Sequence, residues 1–397
     1  MRFLSLAAAA LTCLSLAACA STEAPEPLAP PRAPALGEPS APPEPYAYAP
    51  PPIARAPGPI ELAQLPGWTQ DDHAQALLAY EQGCGAAHAP ELALACRRAR
   101  GMGALDEDQA RIYLETHFRA RLIGADGLLT AYFAPEYEAR ASQRGEFTAA
   151  VRAKPDDLVV LDLGAFDATL AGRKLDLRLV DGRIEPYADR AEIEVENLGQ
   201  PVAWMRPEDL FFLQIQGSGV LQLPDGRRLK ASFSASNGRP FVGLANVLRQ
   251  RGALAADNTS GDAIHAWLAD HRGPEADEVM HADPRYIFFH LAPDDGAEPA
   301  GSAGLPLVPG RALAVDPVWR PMGGFYWIDA QAPRLTGAQT RYQRLAMALD
   351  IGSAIKGPVR ADLYLGRGAA AGLEAGRVRH SLALYQLEPV KADPAQP

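Results

Sequence analysis

From residue 124 onward, apolar and polar positions alternate in short runs. "DGLLTAYFAPEYEAR", "DDLVVLDLG", "GRKLDLRLVDGRIEPY" and "DLFFLQIQGSGVLQLPDGRRLKASFSASNG" carry Asp-Gly and Asn-Gly pairs, which punctuate tight hairpins because both residues accept a positive φ. Period two predicts strands, and so many short ones predict a barrel or sandwich. Two passages break the pattern. Residues 60–120 carry helical signals: "WTQDDHAQALLAYEQ" is expected to start at a Thr69 cap, and "LDEDQARIYLETHF" sets Gln109 three residues after Asp106, a capping box. Helical spacing returns over residues 241–282. Strand signals resume at "RYIFFHLA" and run through "RALAVDPVW", "GGFYWIDA", "RLAMALDIG", "VRADLYLG" and "SLALYQLEP". No repeat of solenoid period appears. The pattern predicts a mainly β protein in two barrel-like parts, with helices at the margins.

Within "VRADLYLG", strict alternation puts Val359, Ala361, Leu363 and Leu365 on one face and Arg360, Asp362 and Tyr364 on the other. The apolar face suits a sealed barrel; the polar face would present Asp362 to solvent or a cleft. Asp350 and Asp316 each end an apolar run, where a strand leaves its sheet. Strand-end aspartates most often bond nearby backbone N–H groups, and spacing alone favours that use for all three.

Other chemistry is sparse. "IQGSGVLQLPDG" places Gln216 and Ser218 in a glycine-rich turn, but it is not a nucleophile elbow, and a serine hydrolase is not indicated. The turn is a plain hairpin or a platform offering Gln216 and backbone amides to a sugar. The histidines lack paired ligand spacing. His265 and His271 fall on different faces of one expected helix, so no metal is expected.

Composition narrows the class. A net charge of -10 and a pI near 5.4 argue against a nucleic-acid partner, which would need a basic face. The N-terminus, "MRFLSLAAAALTCLSLAACAS", has one basic residue, an apolar stretch and "LAAC" ending at Cys19. This reads as a secretion signal over residues 1–18 and resembles the lipobox of bacterial lipoproteins, in which the cysteine is lipidated. Ala20 is not the aspartate that retains such proteins at the inner membrane, so the outer membrane, facing the periplasm, is expected. Residues 19–60 are dominated by Pro and Ala and predict an extended tether. Cys84 and Cys96 remain, and an exported chain makes a disulfide between them plausible, as a structural staple rather than a CxxC redox motif.

Taken in order, "GLLTAYFAPEYEAR", "FFLQIQGSGVLQLPDG", "SNGRPF", "YIFFH", "GLPLVPGRALAVDPVWRPMG" and "LDIGSAIKGPVRADLYLGRGAAAGLEAG" resemble the MltA family of membrane-bound lytic murein transglycosylases, over about residues 65 to 390. The last part resembles the three-aspartate 3D domain. The resemblance implies a catalytic double-psi β-barrel domain from residues 61–138 and 286–392, a second β-barrel domain inserted over 139–285, and a glycan strand held between them. It places Asp362 on the catalytic aspartate, Asp350 and Asp316 on the other two, and Thr130, Tyr132 and Gln216 in groove-lining motifs. The chain departs from the family pattern at Ala131 (Gly), Phe133 (Tyr) and Ser353 (Gly), and reads "FSASNGRPF" where "YAGxNGRPY" is usual.

The implied reaction is non-hydrolytic cleavage between N-acetylmuramic acid and N-acetylglucosamine, leaving a 1,6-anhydromuramic acid end. Its nucleophile, the C6 hydroxyl, belongs to the substrate, so one carboxyl suffices as acid and then base, without a cofactor. An ordinary aspartate titrates near ~3.9, so Asp362 would need burial or a neighbouring carboxylate to hold a proton near neutral pH. The implied partners are peptidoglycan glycan strands and, through the lipid, a membrane; a cell-wall enzyme complex is a further possible partner. The alternatives are a non-catalytic peptidoglycan-binding lipoprotein and a metal-dependent hydrolase, whose ligands the sequence lacks.

Overall fold

The computed structural model describes residues 58–167, 170, 173–255, 258 and 260–391. The expected signal segment, Cys19 and most of the tether lie outside the described residues. Six strands close on themselves: β1 (Phe118–Ala134), β2 (Ala312–Val315), β3 (Phe325–Ala330), β4 (Tyr342–Ile351), β5 (Arg360–Arg367) and β6 (Arg379–Pro389). Around the ring the order is β1-β5-β2-β4-β3-β6, and β6 pairs back onto β1. β1 with β5 and β2 with β4 run parallel; the remaining pairs are antiparallel. This is the mixed, closed barrel expected of the catalytic region.

Alternation explains the closure. Leu129, Leu313, Ile328, Ala346, Ala361, Leu363, Leu382 and Leu384 form one buried cluster to which all six strands contribute, so they fill the interior. On β3 and β4 the alternate positions are apolar too. Phe325, Trp327, Leu345 and Met347 point outward and pack under the helices His73–Gly83, Pro90–Arg100 and Glu107–His117. A strand buried on both faces reads as a continuous apolar run, which is why "FYWIDA" shows no polar face.

Asp126-Gly127 is not a hairpin turn but lies inside β1. A Cβ on Gly127 would sit 2.2 Å from the Val359 carbonyl oxygen, so glycine here lets the start of β5 approach, and Leu128 N–H bonds that carbonyl at 3.0 Å. Asp181-Gly182 does turn a hairpin, at φ 49° and 77°, between Lys174–Val180 and Arg183–Pro186. The segment between β1 and β2 adds a four-stranded sheet (Ile287–Pro293, Arg228–Ser236, Gly219–Gln222, Glu136–Glu138), a two-stranded pair and a three-stranded sheet. By hydrogen bonding the chain leaves the barrel at Ala134, and Ile287–Pro293 still pairs within the added sheet.

Two local expectations are corrected. The first helix is capped by Asp72, which accepts from Gln75 N–H, while Thr69 lies in a preceding 3-10 turn. "PEDLFFLQIQ" is a helix, Pro207–Gln216, started by Pro at its first position with Glu208 and Asp209 behind it, and ended by Gly217 at φ 82°. Gly368–Ala375 is a helix of small residues after β5. The Asp106–Gln109 capping box is present as expected.

Candidate active site

The parallel register of β1 and β5 sets Thr130 opposite Asp362 and Tyr132 opposite Tyr364. Because Leu129, Ala361 and Leu363 face the interior, these four side chains face outward. The two tyrosine rings pack 5.3 Å apart and join the apolar cluster under the N-terminal helices. Thr130 and Asp362, on the same outward face, are half-buried.

Thr130 Oγ1 donates a short hydrogen bond to Asp362 Oδ1, and Arg360 Nη2 donates to Thr130 Oγ1 at 2.7 Å. Asp362 is half-buried, yet packed protein surrounds its carboxylate on most sides. Burial therefore raises its pKa above the ordinary value, against the Thr130 hydrogen bond and the Arg360 charge, and the negative charge of Asp350 adds to the rise.

Asp350, at the end of β4, has the opposite environment. Its Oδ1 accepts from Ser302 N–H at 2.9 Å, Ser302 Oγ at 2.7 Å and Ile351 N–H at 2.9 Å, and its Oδ2 accepts from Tyr132 Oη at 2.8 Å. These four donors hold its carboxyl group in place. Burial, then Asp350 itself, pushes the Tyr132 hydroxyl well above its ordinary pKa, so it stays a neutral donor.

The other expected site residues are placed differently. Asp316 is 4% exposed; its Oδ1 accepts from Val318 N–H at 3.2 Å and its Oδ2 from Gly357 N–H at 2.9 Å. It shares no hydrogen bond with Asp350 or Asp362 and pins the turn that leads into β5. Gln216 ends its helix over the rim of β1, where its Oε1 accepts from Phe133 N–H at 3.3 Å. Of the departures, Ala131 packs at the edge of the barrel interior. Phe133 lies against Gly372, where an added Cβ would meet its ring at 2.7 Å. Ser353 Oγ accepts from Arg285 Nη1 at 2.7 Å. His265 pairs with Asp209 and His271 bonds the Trp267 carbonyl, within the segment between β1 and β2. Cys84 and Cys96 are joined by a disulfide that ties the end of the first helix to the second.

Three contributors escape a reading of the sequence. Ser302 lies in the loop before β2, and nothing in "AGSAGLP" marks it as the partner of Asp350. Tyr364 and Arg360 were legible as outward neighbours of Asp362 by alternation, but their bonds were not. Tyr364 Oη donates to Glu298 at 2.5 Å. Chemically, the site offers one carboxyl inclined to hold a proton, Asp362, beside one anchored by four hydrogen-bond donors, Asp350. Nothing hydrogen-bonded to Asp362 is a second carboxylate.

The chain is similar to known proteins in sequence and in fold. Residues 128–290 match the model of the MltA specific insert domain, and residues 311–388 that of the 3D domain. A membrane-bound lytic murein transglycosylase A of Vibrio cholerae is 33% identical over 184 residues, 45% of this chain and 49% of that protein. The chain thus matches about half the length of its curated relatives. The crystal structure of a membrane-bound lytic murein transglycosylase from Agrobacterium tumefaciens is similar over 83% of this chain and 97% of its own, with 33% identity and a TM-score of 0.70. That of MltA from Neisseria gonorrhoeae is similar over 85% and 93%, with 26% identity and the same TM-score, 0.70. With both domain models in order and a solved relative matched over nearly its whole length, the chain belongs to the MltA family of lytic murein transglycosylases.

Proposed function

We propose that this protein cleaves the β-1,4 bond between N-acetylmuramic acid and N-acetylglucosamine in peptidoglycan without water, and that Asp362 is its acid and then its base. In this reading Asp362 protonates the glycosidic oxygen as the C1–O bond breaks. Its carboxylate then accepts the C6 hydroxyl proton as that oxygen closes on C1, giving the 1,6-anhydro ring. Protons balance, and Asp362 ends protonated, ready for another cycle.

The observation that carries the reading is the contrast between the two carboxylates. Asp362 is pushed toward its neutral form by burial and by Asp350. Asp350 accepts four hydrogen bonds, from Ser302, Ile351 and Tyr132, which tie its carboxyl group to the protein rather than leave it free to activate water or attack the sugar. Glycosidases that use water or a glycosyl-enzyme need that second free carboxylate. An internal nucleophile does not, and well-oriented ones reach effective molarities on the order of 10⁵ M or more.

Asp350 then sets the local field, and Asp316 holds the turn before β5. Thr130 and Tyr132 line the groove while orienting the carboxylates. Gln216 spends its oxygen on Phe133 and keeps its amide nitrogen for a sugar oxygen. The division into a barrel domain and an insert belongs to the same proposal, but the expected bounds of 61–138, 139–285 and 286–392 shift, because Glu136–Glu138 and Ile287–Pro293 pair in the sheet of the insert. So does the outer-membrane location through lipid on Cys19, which the relatives' description as membrane-bound supports.

Mass spectrometry of products from purified sacculi tests the reading. Soluble muropeptides with muramic ends lighter by one water are expected. Intact sacculi with bound protein would instead indicate a binding lipoprotein. Chelator-sensitive release would indicate a metal-dependent hydrolase.

A further inference from the structure

We infer that Arg360 is a positioning residue for Asp362: acting through the Thr130 hydroxyl, it dictates which carboxyl oxygen carries the reactive proton. This rests on the reading of Asp362 as the acid. It follows from counting hydrogens along a chain of three side chains.

Arg360 and Asp362 are two residues apart on the outward face of β5, and Thr130 lies opposite Asp362 on β1. The guanidinium is held by backbone as well, donating from Nη1 to Ala361 O at 2.5 Å and toward Leu128 O at 3.4 Å. Arginine has donors only. Its Nη2, 2.7 Å from Thr130 Oγ1, therefore obliges that oxygen to accept, and the single hydroxyl hydrogen is left to point at Asp362 Oδ1. An Oδ1 that receives a hydrogen is disfavoured as the place to carry one. The acid proton is directed to Oδ2, the oxygen not engaged by Thr130.

Without Arg360 the hydroxyl can reverse. Thr130 Oγ1 could then accept a proton carried on Oδ1, a neutral Asp362 equally stable but with its proton turned into the protein instead of toward the glycan. Arg360 excludes that unproductive tautomer. Its charge also lowers the pKa of Asp362, against burial and Asp350. The other charged or titratable neighbours are Tyr132, which stays neutral, and Arg379 on β6, opposite Thr130, whose charge faces Arg360.

The test compares full-length wild-type protein with Arg360→Gln, Arg360→Lys, Thr130→Val and the double variant Arg360→Gln/Thr130→Val, measuring kcat and KM on purified glycan strands across pH. Arg360→Gln should lower kcat about tenfold or more, a fraction of what a positioned acid contributes, with KM within about twofold. The alkaline limb of its profile should move to higher pH. Arg360→Lys keeps the charge and, unlike glutamine, whose amide oxygen could accept the Thr130 hydrogen, has donors only, so it should recover much of kcat and hold the limb near its wild-type position. In the Thr130→Val background Arg360→Gln should cost markedly less than in wild type, because no hydroxyl remains to be oriented. Equal losses in both backgrounds, or a higher KM with an unmoved limb, would overturn the inference. If Arg360→Gln does not fold, Thr130→Ser should turn over about tenfold faster than Thr130→Val, and equal rates would overturn it. Wild-type protein that leaves no anhydro ends would overturn the transglycosylase reading; anhydro ends from wild type with an Arg360→Gln profile like its own would overturn this inference alone.

Discussion

Thr130 and Asp362, 232 residues apart in sequence, face each other across two parallel strands and share a hydrogen bond. Their neighbours pull the acidity of Asp362 in opposite directions. Burial and Asp350 raise its pKa, while Thr130 and Arg360 lower it, and the rise prevails. A group poised this way can give a proton and take one back within a single cycle.

Asp362→Asn keeps the shape and removes the acid. Turnover should fall about 10²–10⁴-fold with glycan binding retained. Stability should respond the other way. A carboxyl whose folded pKa lies above its unfolded value binds more protons when folded, so it weakens the fold as pH rises from the unfolded pKa through the folded one. The thermal midpoint of Asp362→Asn should therefore equal or exceed that of wild type at neutral pH, and the gap should close toward acid pH. Calorimetry at a series of pH values checks both.

Asp350→Asn removes a charge that raises the pKa of Asp362, so the alkaline limb of activity should move to lower pH. An amide also cannot accept from all four donors now on Asp350. Leaving Ser302 or Tyr132 without an acceptor should cost about 1–3 kcal/mol. Denaturant midpoints together with a pH–rate profile would register both effects.

Asp316→Asn should behave as a scaffold variant. One of the backbone amides of Val318 and Gly357 loses its acceptor, so stability should drop by about 1–3 kcal/mol. Turnover at a temperature where the variant is folded should fall far less than for Asp362→Asn. A loss as deep as that of Asp362→Asn, with stability unchanged, would place Asp316 in the chemistry.

Much of this architecture is legible in the sequence where periodicity is strict. "VRADLYLG" alternates in sequence, and its faces divide between the barrel interior and its outer side, where Tyr364 is covered by the N-terminal helices and Asp362 is half-buried. "FFLQIQ" misleads because a helix buried on most sides is apolar at nearly every position, just as a buried strand is. The decisive marks are Pro207 before the run and Gly217 after it. The aspartate trio is the other partial success. Three strand-end aspartates look equivalent in one dimension. Only the fold separates one bonded to backbone amides, one saturated by Ser302 and Tyr132, and one left to titrate beside a threonine. Those distinctions depend on partners up to 232 residues away, and no local pattern encodes them.

Digestion of sacculi in water carrying heavy oxygen asks whether solvent enters the product. If the C6 hydroxyl is the nucleophile, the new muramic acid ends are 1,6-anhydro and carry no heavy oxygen, because every oxygen at C1 comes from the sugar. Heavy oxygen at C1 of reducing ends, formed by the wild-type protein and lost in Asp362→Asn, would make water the nucleophile and the enzyme a hydrolase.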